Sequence, residues 1–196
     1  LEFKIKSVLK TDSAFRRIEG YDISNISGVE ASGSMVVFIN GVPDKSEYRR
    51  FRIKTVAGAN DTAMMAEVIG RRFRRYEWNF PDLIILDGGK PQLNAALATF
   101  AELRRRRAES RGKFLRQSAY SPRGAAATIV ALAKRDEELY VAGRKKPVRL
   151  KREDRELLHF FQRVRDEAHR YAKRYHHKLR EKELRESREP GFLKLK

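Results

Sequence analysis

The sequence contains no cysteine, which excludes disulfide bonds and thiolate metal sites. Its longest apolar stretches, 83–86 and 125–133, are far too short to span a bilayer. No signal-peptide pattern opens the chain, and its first residue is leucine rather than methionine. We therefore expect a cytoplasmic protein, of which this sequence is a piece.

Acidic residues are scarce relative to basic ones. The chain has 26 Asp and Glu against 44 Lys and Arg, a formal net charge of +18. Such an excess attracts polyanions through counterion release, and nucleic acid is the most common of them. The alternative is a merely soluble surface. Binding to an anionic membrane is not expected, because no basic helix also carries a broad aromatic and aliphatic face.

The first half of the sequence alternates between strand and helix patterns. The second of three β-type segments ends at Asn40-Gly41, a dipeptide typical of a tight hairpin. A helix capped by Asn60 or Asp61 follows. The run 83–86 is typical of a strand buried on both faces between parallel neighbours. The three β-type segments are 16–23, 34–40 and 47–55.

The second half continues the alternation. A helix follows Gly88-Gly89, the basic stretch 104–124 is predicted to be a mobile loop, and strands are expected at 128–132 and 138–141. Apolar residues then step by three and four over 157–179, which indicates one long amphipathic helix. This order predicts an α/β protein with a ribonuclease H-like mixed sheet flanked by helices and a long C-terminal helix.

Two aspartates stand where a predicted strand ends and a Gly- or Ser-rich turn begins, Asp22 after the first strand and Asp87 after the buried one. A carboxylate there is costly unless a cation balances it, and in a basic chain the candidates are a divalent metal and the phosphates it holds. The pair therefore indicates cleavage of nucleic acid, although helix caps or turn residues show the same pattern. Lys90 lacks the glycine spacing of a P-loop, so ATP hydrolysis is not predicted.

Six ordered segments resemble one known family. They are similar to the motifs of the C-terminal nuclease domain of UvrC, the incising subunit of the bacterial excision nuclease, and they occur in the same order. The segments are Tyr21–Gly28, Ser34–Phe38, Asp44–Phe51, Pro81–Leu93, Ala131–Lys134 and Arg165–Ala172. Two positions depart from the family pattern, since Asn60 stands where an acid is usual and Tyr171 where phenylalanine is usual.

The resemblance implies a ribonuclease H-like endonuclease that makes the 5′ incision beside damaged DNA in nucleotide excision repair. Asp22, Asp87 and His169 match the family's catalytic set and are the implied metal ligands. Asp61 matches a further acidic position of the catalytic set, or it is the N-cap of its helix. Carboxylate oxygens suit Mg²⁺ or Mn²⁺, and an imidazole favours Mn²⁺. His169 fits either a ligand role or a general acid–base role.

Further residues are candidate contacts to DNA. The turns beside the two aspartates offer hydrogen-bond donors, and nearby basic side chains can hold phosphates. These candidates are Ser24, Asn25, Lys45, Arg49, Arg50, Lys90 and Arg165. The implied partners are damaged double-stranded DNA, UvrB and, through UvrB, UvrA.

Residues 1–184 are expected to form the nuclease domain and residues 185–196 a charged tail. Relatives also carry an N-terminal nuclease domain, a UvrB-binding segment and helix-hairpin-helix repeats, and no part of this sequence resembles them. Two alternatives stay open. One is a non-catalytic DNA-binding module on the same fold, which the intact set of two aspartates and a histidine argues against. The other is a junction resolvase or transposase, whose sites depend on carboxylates rather than on a histidine.

Overall fold

An eight-stranded mixed sheet organises the part of the chain that the structure describes. A computed structural model describes residues 1–24, 31–75, 77–110, 127–134, 137–150 and 154–186, with the backbone alone for 107–108, 110 and 175–186. The strands are β1 Arg17–Ser24, β2 Ser32–Ile39, β3 Val42–Pro43, β4 Arg49–Arg52, β5 Leu83–Asp87, β6 Thr128–Ala133, β7 Glu138–Val141 and β8 Val148–Arg149. The helices are α1 Glu2–Leu9, α2 Asp61–Arg72, α3 Lys90–Ser110 and α4 Arg155–Glu186.

The strand order is β3-β2-β1-β5-β6-β7-β8, and β4 pairs with β2 along the same edge as β3. β5 runs parallel to both β1 and β6, whereas the other pairs are antiparallel. Leu83 to Leu86 are fully buried. The predicted mixed sheet and its central parallel strand are therefore confirmed. None of the helices in the described ranges is long and apolar enough to cross a membrane.

The hairpin predicted at Asn40-Gly41 is present. Asn40 has φ 50° and Gly41 has φ 80°, so both residues of the turn adopt positive φ. Asparagine and glycine tolerate that conformation, and its twist matches that of the flanking strands. The turn returns the chain along β2 and positions the edge strands β3 and β4 beside it.

Alternation along β1 assigns the helices to the two faces of the sheet. The Glu19 side chain points toward α2, where it meets Arg72, and Gly20 points toward α4, where it meets Val164. Since α3 packs beside α2, these two helices cover one face and α4 covers the other. The α4 residues facing the sheet are buried at the predicted spacing, namely Leu157, Phe161, Val164, Ala168 and Ala172.

The prediction of a loop over 104–124 is wrong for its first part, because α3 continues to Ser110. Arg105 pairs with carboxylates three residues before it and four residues after it, at distances of 2.8 and 2.7 Å. Such pairs support a helix of good helix formers in solvent. Residues 111–126 lie outside the described part of the chain.

The predicted third strand over 47–55 is shorter than expected. A single 3-10 turn occupies Lys45–Glu47, and Asp44 caps it by accepting a hydrogen bond from the Ser46 amide at 3.1 Å. Pairing with β2 then extends only over Arg49–Arg52. The short elements α1 and β8 were not predicted, since eight and two residues carry too little periodicity.

The close contact between Gly20 and α4 yields a stability prediction. A Cβ atom added at Gly20 would lie 2.6 Å from Val164 Cγ1 and 3.2 Å from the Val164 carbonyl oxygen. We expect Gly20→Ala to lower the free energy of unfolding by about 1–3 kcal/mol, since α4 must shift away from the sheet. Chemical denaturation measures this change.

Gly70→Ala in α2 is the matched control. A Cβ atom there meets nothing closer than Thr99 Cγ2 at 3.5 Å, so alanine fits. We expect this substitution to be neutral or to stabilise the protein by up to about 1 kcal/mol, because alanine favours helix. Equal losses in the two variants would show that the packing of β1 against α4 is not tight.

Candidate metal centre

The two aspartates predicted to be catalytic meet because their strands are parallel neighbours. The register pairs Tyr21 of β1 with Leu86 of β5, so the next residues, Asp22 and Asp87, lie side by side where both strands end. Both side chains project from the same face of the sheet as Gly20, and this face is covered by α4. The β-sheet hydrogen bonds thus fix both carboxylates at one position on this face.

His169 reaches this position from α4. Ser34 of β2 donates a hydrogen bond through its hydroxyl to the Ala168 carbonyl oxygen at 3.0 Å, which ties the helix to the sheet one residue before the histidine. His169 Nδ1 lies 3.3 Å from Asp22 Oδ2. One ligand atom from each of Asp22, Asp87 and His169 lies within 4.8 Å of the other two. Three separated segments of the chain therefore converge on one cluster.

The electrostatics of the cluster favour a bound cation. The side chains of Asp22 and Asp87 are each only 6% exposed. Burial, followed by repulsion from Asp87 and a hydrogen bond with its carboxyl group, raises the pKa of Asp22 to about 8. Two carboxylates at close range cannot both ionise cheaply, and a divalent ion removes that cost.

Lys134 is a further charged group of the cluster, and it was not selected from the sequence. Its ammonium lies 2.9 Å from Asp87 Oδ2 at the end of β6, and its side chain is 56% exposed. Asp87 Oδ2 is buried and, among the described residues, has this ion pair but no hydrogen bond. The sequence did contain a sign of this role, because Lys134 is the last residue of one of the six family-like segments. A lysine that follows a strand is nevertheless too common a pattern to indicate a functional site by itself.

His169 is suited to the role of a neutral ligand. Burial, followed by the positive charges of Lys134 and Lys173, lowers its pKa below the ordinary value for histidine. Neutral imidazole leaves a lone pair available for a metal. The imidazole and the two carboxylates form a donor set that fits Mn²⁺ or Mg²⁺. One carboxylate oxygen of this set, Asp87 Oδ2, is buried and has no hydrogen bond within the described part of the chain.

Asp61 lies near the cluster but outside its set of mutually close ligand atoms. It is the exposed first residue of α2, and its charge contributes to raising the Asp22 pKa. The helix cap is Asn60, whose side chain accepts a hydrogen bond from the Ala63 amide at 3.0 Å. The alternative that Asp61 is itself the N-cap is therefore wrong.

The candidate DNA contacts are dispersed over the surface. Lys45 and Arg50 line a basic cleft between β4 and α4. Arg49 points away from that cleft, with its guanidinium 5.2 Å from the Trp78 ring. Ser24 ends β1 two residues after Asp22, and Lys90 lines a separate small cleft at the start of α3. Asn25 lies outside the described residues.

Arg165 is held by carboxylates rather than exposed to a ligand. Its side chain is only 10% exposed and lies 2.9 Å from Asp166 and 3.3 Å from Glu137. Arg165 Nε donates a hydrogen bond to Oδ1 of Asp166, the next residue along the helix. Arg170 and Glu167 form a second ion pair near the histidine, at 2.6 Å.

Comparisons with known proteins agree with the resemblance noted in the sequence. Residues 6–172 match the family model described as the UvrC RNAse H endonuclease domain. UvrABC system protein C of Dictyoglomus thermophilum is 47% identical over 172 residues, which cover 87% of this chain and 25% of that protein. UvrABC system protein C of Methanosarcina mazei is 44% identical over 170 residues, which cover 85% of this chain and 28% of that protein. The chain thus spans about a quarter of the length of these curated relatives.

Among solved structures, endonuclease V of Ciona intestinalis in complex with a 24mer DNA containing an inosine followed by a ribo-adenosine is similar with a TM-score of 0.44. The sequence identity is 10%, and the match covers 84% of this chain and 87% of that one. Human ENDOV matches with a TM-score of 0.37 and 12% identity over 68% of this chain and 67% of that one.

Proposed function

The chain belongs to the UvrC RNAse H endonuclease domain family, and from this membership we propose that it makes the 5′ incision beside damaged DNA in nucleotide excision repair, as a divalent-metal-dependent endonuclease. The observation that carries the proposal is the convergence of Asp22, Asp87 and His169 within 4.8 Å. This arrangement joins carboxylates from two parallel strands to an imidazole from a helix on the same face.

In this proposal Asp22 and Asp87 hold the cation and His169 completes its ligand set. A bound Mn²⁺ or Mg²⁺ supplies an activated water and neutralises charge on the phosphoryl oxygens. The neutral state of His169, favoured by its lowered pKa, supports ligation rather than proton donation at neutral pH. Lys134 balances the charge of Asp87 and adds positive charge beside the incoming phosphate. Asp61 adds a further carboxylate at the rim.

The proposed substrate and partners follow from the relatives named UvrABC system protein C. We infer that the chain acts on damaged duplex DNA together with UvrB and, through UvrB, UvrA, in the cytoplasm. Residues 1–184 are proposed as the nuclease domain, followed by a charged tail at 185–196. The net charge of +18 supports a DNA substrate.

Nicking of supercoiled plasmid tests the function. The protein is incubated with Mn²⁺, with Mg²⁺ and with EDTA, beside the variants Asp87→Asn and His169→Ala. We expect metal-dependent nicking by the wild type and a loss of at least about a hundredfold in each variant, because each removes a donor from the proposed metal ligand set.

His159→Ala is the matched control for the histidine. His159 lies ten residues earlier on α4 and is exposed, away from the cluster. This variant is expected to nick like the wild type. Nicking that survives in both Asp87→Asn and His169→Ala, or that persists in EDTA, would contradict the proposal. DNA binding without nicking by a folded wild type, also when UvrB is added, would favour the non-catalytic module, and paired symmetric nicks on a junction would favour a resolvase.

A further inference from the structure

A cleft of about 200 Å³ lies between β4 and the C-terminal half of α4, beside the candidate metal centre. Four cationic and two tyrosine side chains line it. They are Lys45, Tyr48, Arg50, Arg170, Tyr171 and Arg174. No part of the proposed chemistry uses this cleft, and its concentration of positive charge indicates a ligand with negative charge.

The walls of the cleft are fixed by contacts among its own residues. The Arg50 guanidinium lies over the Tyr171 ring at 4.4 Å, and the Tyr48 and Tyr171 rings meet edge to face at 5.1 Å. The Tyr48 hydroxyl donates a hydrogen bond to Glu167 at 2.9 Å, and Glu167 also holds Arg170. These contacts orient Arg50 and Arg170 before any ligand arrives, which lowers the entropic cost of binding.

The sheet register sets the separation of the cleft from the metal centre. Asp22 of β1 pairs with Ser34 of β2, and Ser34 pairs with Arg50 of β4. Paired residues share a face, so Arg50 projects on the same side as Asp22, about 10 Å away across two strand spacings. Each nucleotide of one strand advances about 3.4 Å along the duplex axis and also winds around it, so this separation spans no more than about three nucleotides.

We propose that this cleft holds the phosphodiester backbone of the strand being cut, a few nucleotides from the scissile phosphate. The inference rests on the proposed DNA substrate but not on cleavage. Arg50, which lies over the Tyr171 ring, carries guanidinium donors that match phosphate oxygens. Arg170 uses its Nε and Nη2 donors to hold Glu167, and its Nη1 group and its charge face the ligand. Lys45 and Arg174 add exposed charge at the mouth of the cleft.

The test compares two charge-matched double variants of the whole chain. Lys45→Gln/Arg174→Gln removes two charges from the cleft. Arg105→Gln/Arg149→Gln removes two exposed charges elsewhere, on α3 and on β8 at the opposite edge of the sheet. Binding of a short fluorescein-labelled DNA duplex is measured by anisotropy in EDTA over a series of salt concentrations, so that no cleavage occurs.

We expect the cleft variant to bind about tenfold more weakly than the control variant at physiological salt. Its slope of log affinity against log salt should be smaller by about 0.9 for each phosphate contact that is lost. Equal affinity and slope in the two variants, or no salt-dependent binding by the wild type, would overturn the proposal. Because the readout is binding, a protein that fails to nick any DNA still gives a decisive result for the cleft.

Discussion

Replacing Asp22 by asparagine is expected to abolish metal-dependent nicking and, at the same time, to stabilise the metal-free protein. The loss of nicking should reach at least about a thousandfold, because the variant removes a charged donor from the proposed metal site. The gain in stability arises because burial and the Asp87 charge raise the pKa of Asp22 to about 8. Ionised Asp22 therefore costs free energy in the folded state that asparagine avoids.

The stability gain has a defined pH dependence. The Asp22 pKa rises from an ordinary 3.8 to about 8 on folding. Between these values the unfolded chain has lost a proton that the folded chain keeps, so the wild type loses stability as pH rises through this window. At about 1.4 kcal/mol per pKa unit, the advantage of Asp22→Asn should grow to a few kcal/mol near pH 8 and vanish near pH 4.

Thermal unfolding in EDTA at several pH values, paired with plasmid nicking in Mn²⁺, measures both effects. Asp12→Asn, at an exposed position remote from the cluster in sequence, serves as the control and should change neither quantity. If Asp22→Asn lost activity but was less stable than the wild type at pH 8, ionised Asp22 would not be lowering the stability of the folded protein.

Replacing Arg72 by methionine is expected to lower the free energy of unfolding by about 3–5 kcal/mol, because it leaves a buried carboxylate without its main partner. The Arg72 side chain is 1% exposed and Glu19 is fully buried. Arg72 donates to both carboxylate oxygens, at 2.8 and 3.0 Å, and the Tyr21 hydroxyl donates to Glu19 at 2.6 Å. Arg17 adds a third donor at 3.0 Å.

The double variant Glu19→Leu/Arg72→Met separates the cost of the stranded charge from the value of the pair. It should be less destabilising than Arg72→Met, since no buried carboxylate remains and Arg17, which loses Glu19, keeps its ion pair with Glu47. Arg105→Met, which breaks two exposed ion pairs on α3, should cost no more than about 1 kcal/mol. Urea denaturation measures the free energy of unfolding of each variant. Equal decreases for Arg72→Met and Arg105→Met would contradict the prediction that Arg72 compensates a buried carboxylate.

The parts of the fold that were predicted correctly have strong local sequence patterns. Leu83 to Leu86 form a continuous apolar run and became the central strand, and the apolar stripe of α4 became its buried face. The strong tendency of Asn40-Gly41 to turn predicted the hairpin. The helix α1 was not predicted because its local pattern is weak. It buries only Ile5 and Leu9, and tertiary contacts stabilise it.

The candidate site divides in the same way. Asp22 and Asp87 stand out in the sequence because charge follows an apolar strand, but periodicity alone did not distinguish His169 from His159. The family resemblance chose His169, and the structure places it 3.3 Å from Asp22 while His159 is exposed. Lys134 joins the cluster only through the pairing of β6 with β5, which no local pattern displays.

The contact between Gly20 and Val164 affects the relative positions of the three candidate metal ligands. Both carboxylates are carried by the sheet, whereas the imidazole is carried by α4, a separate element that packs on the sheet. Val164 precedes His169 by five residues, or about 7–8 Å along a rigid helix. Because Gly20 has no side chain, α4 packs closely on β1 at this point. This close packing sets the distance between the His169 imidazole and the two carboxylates.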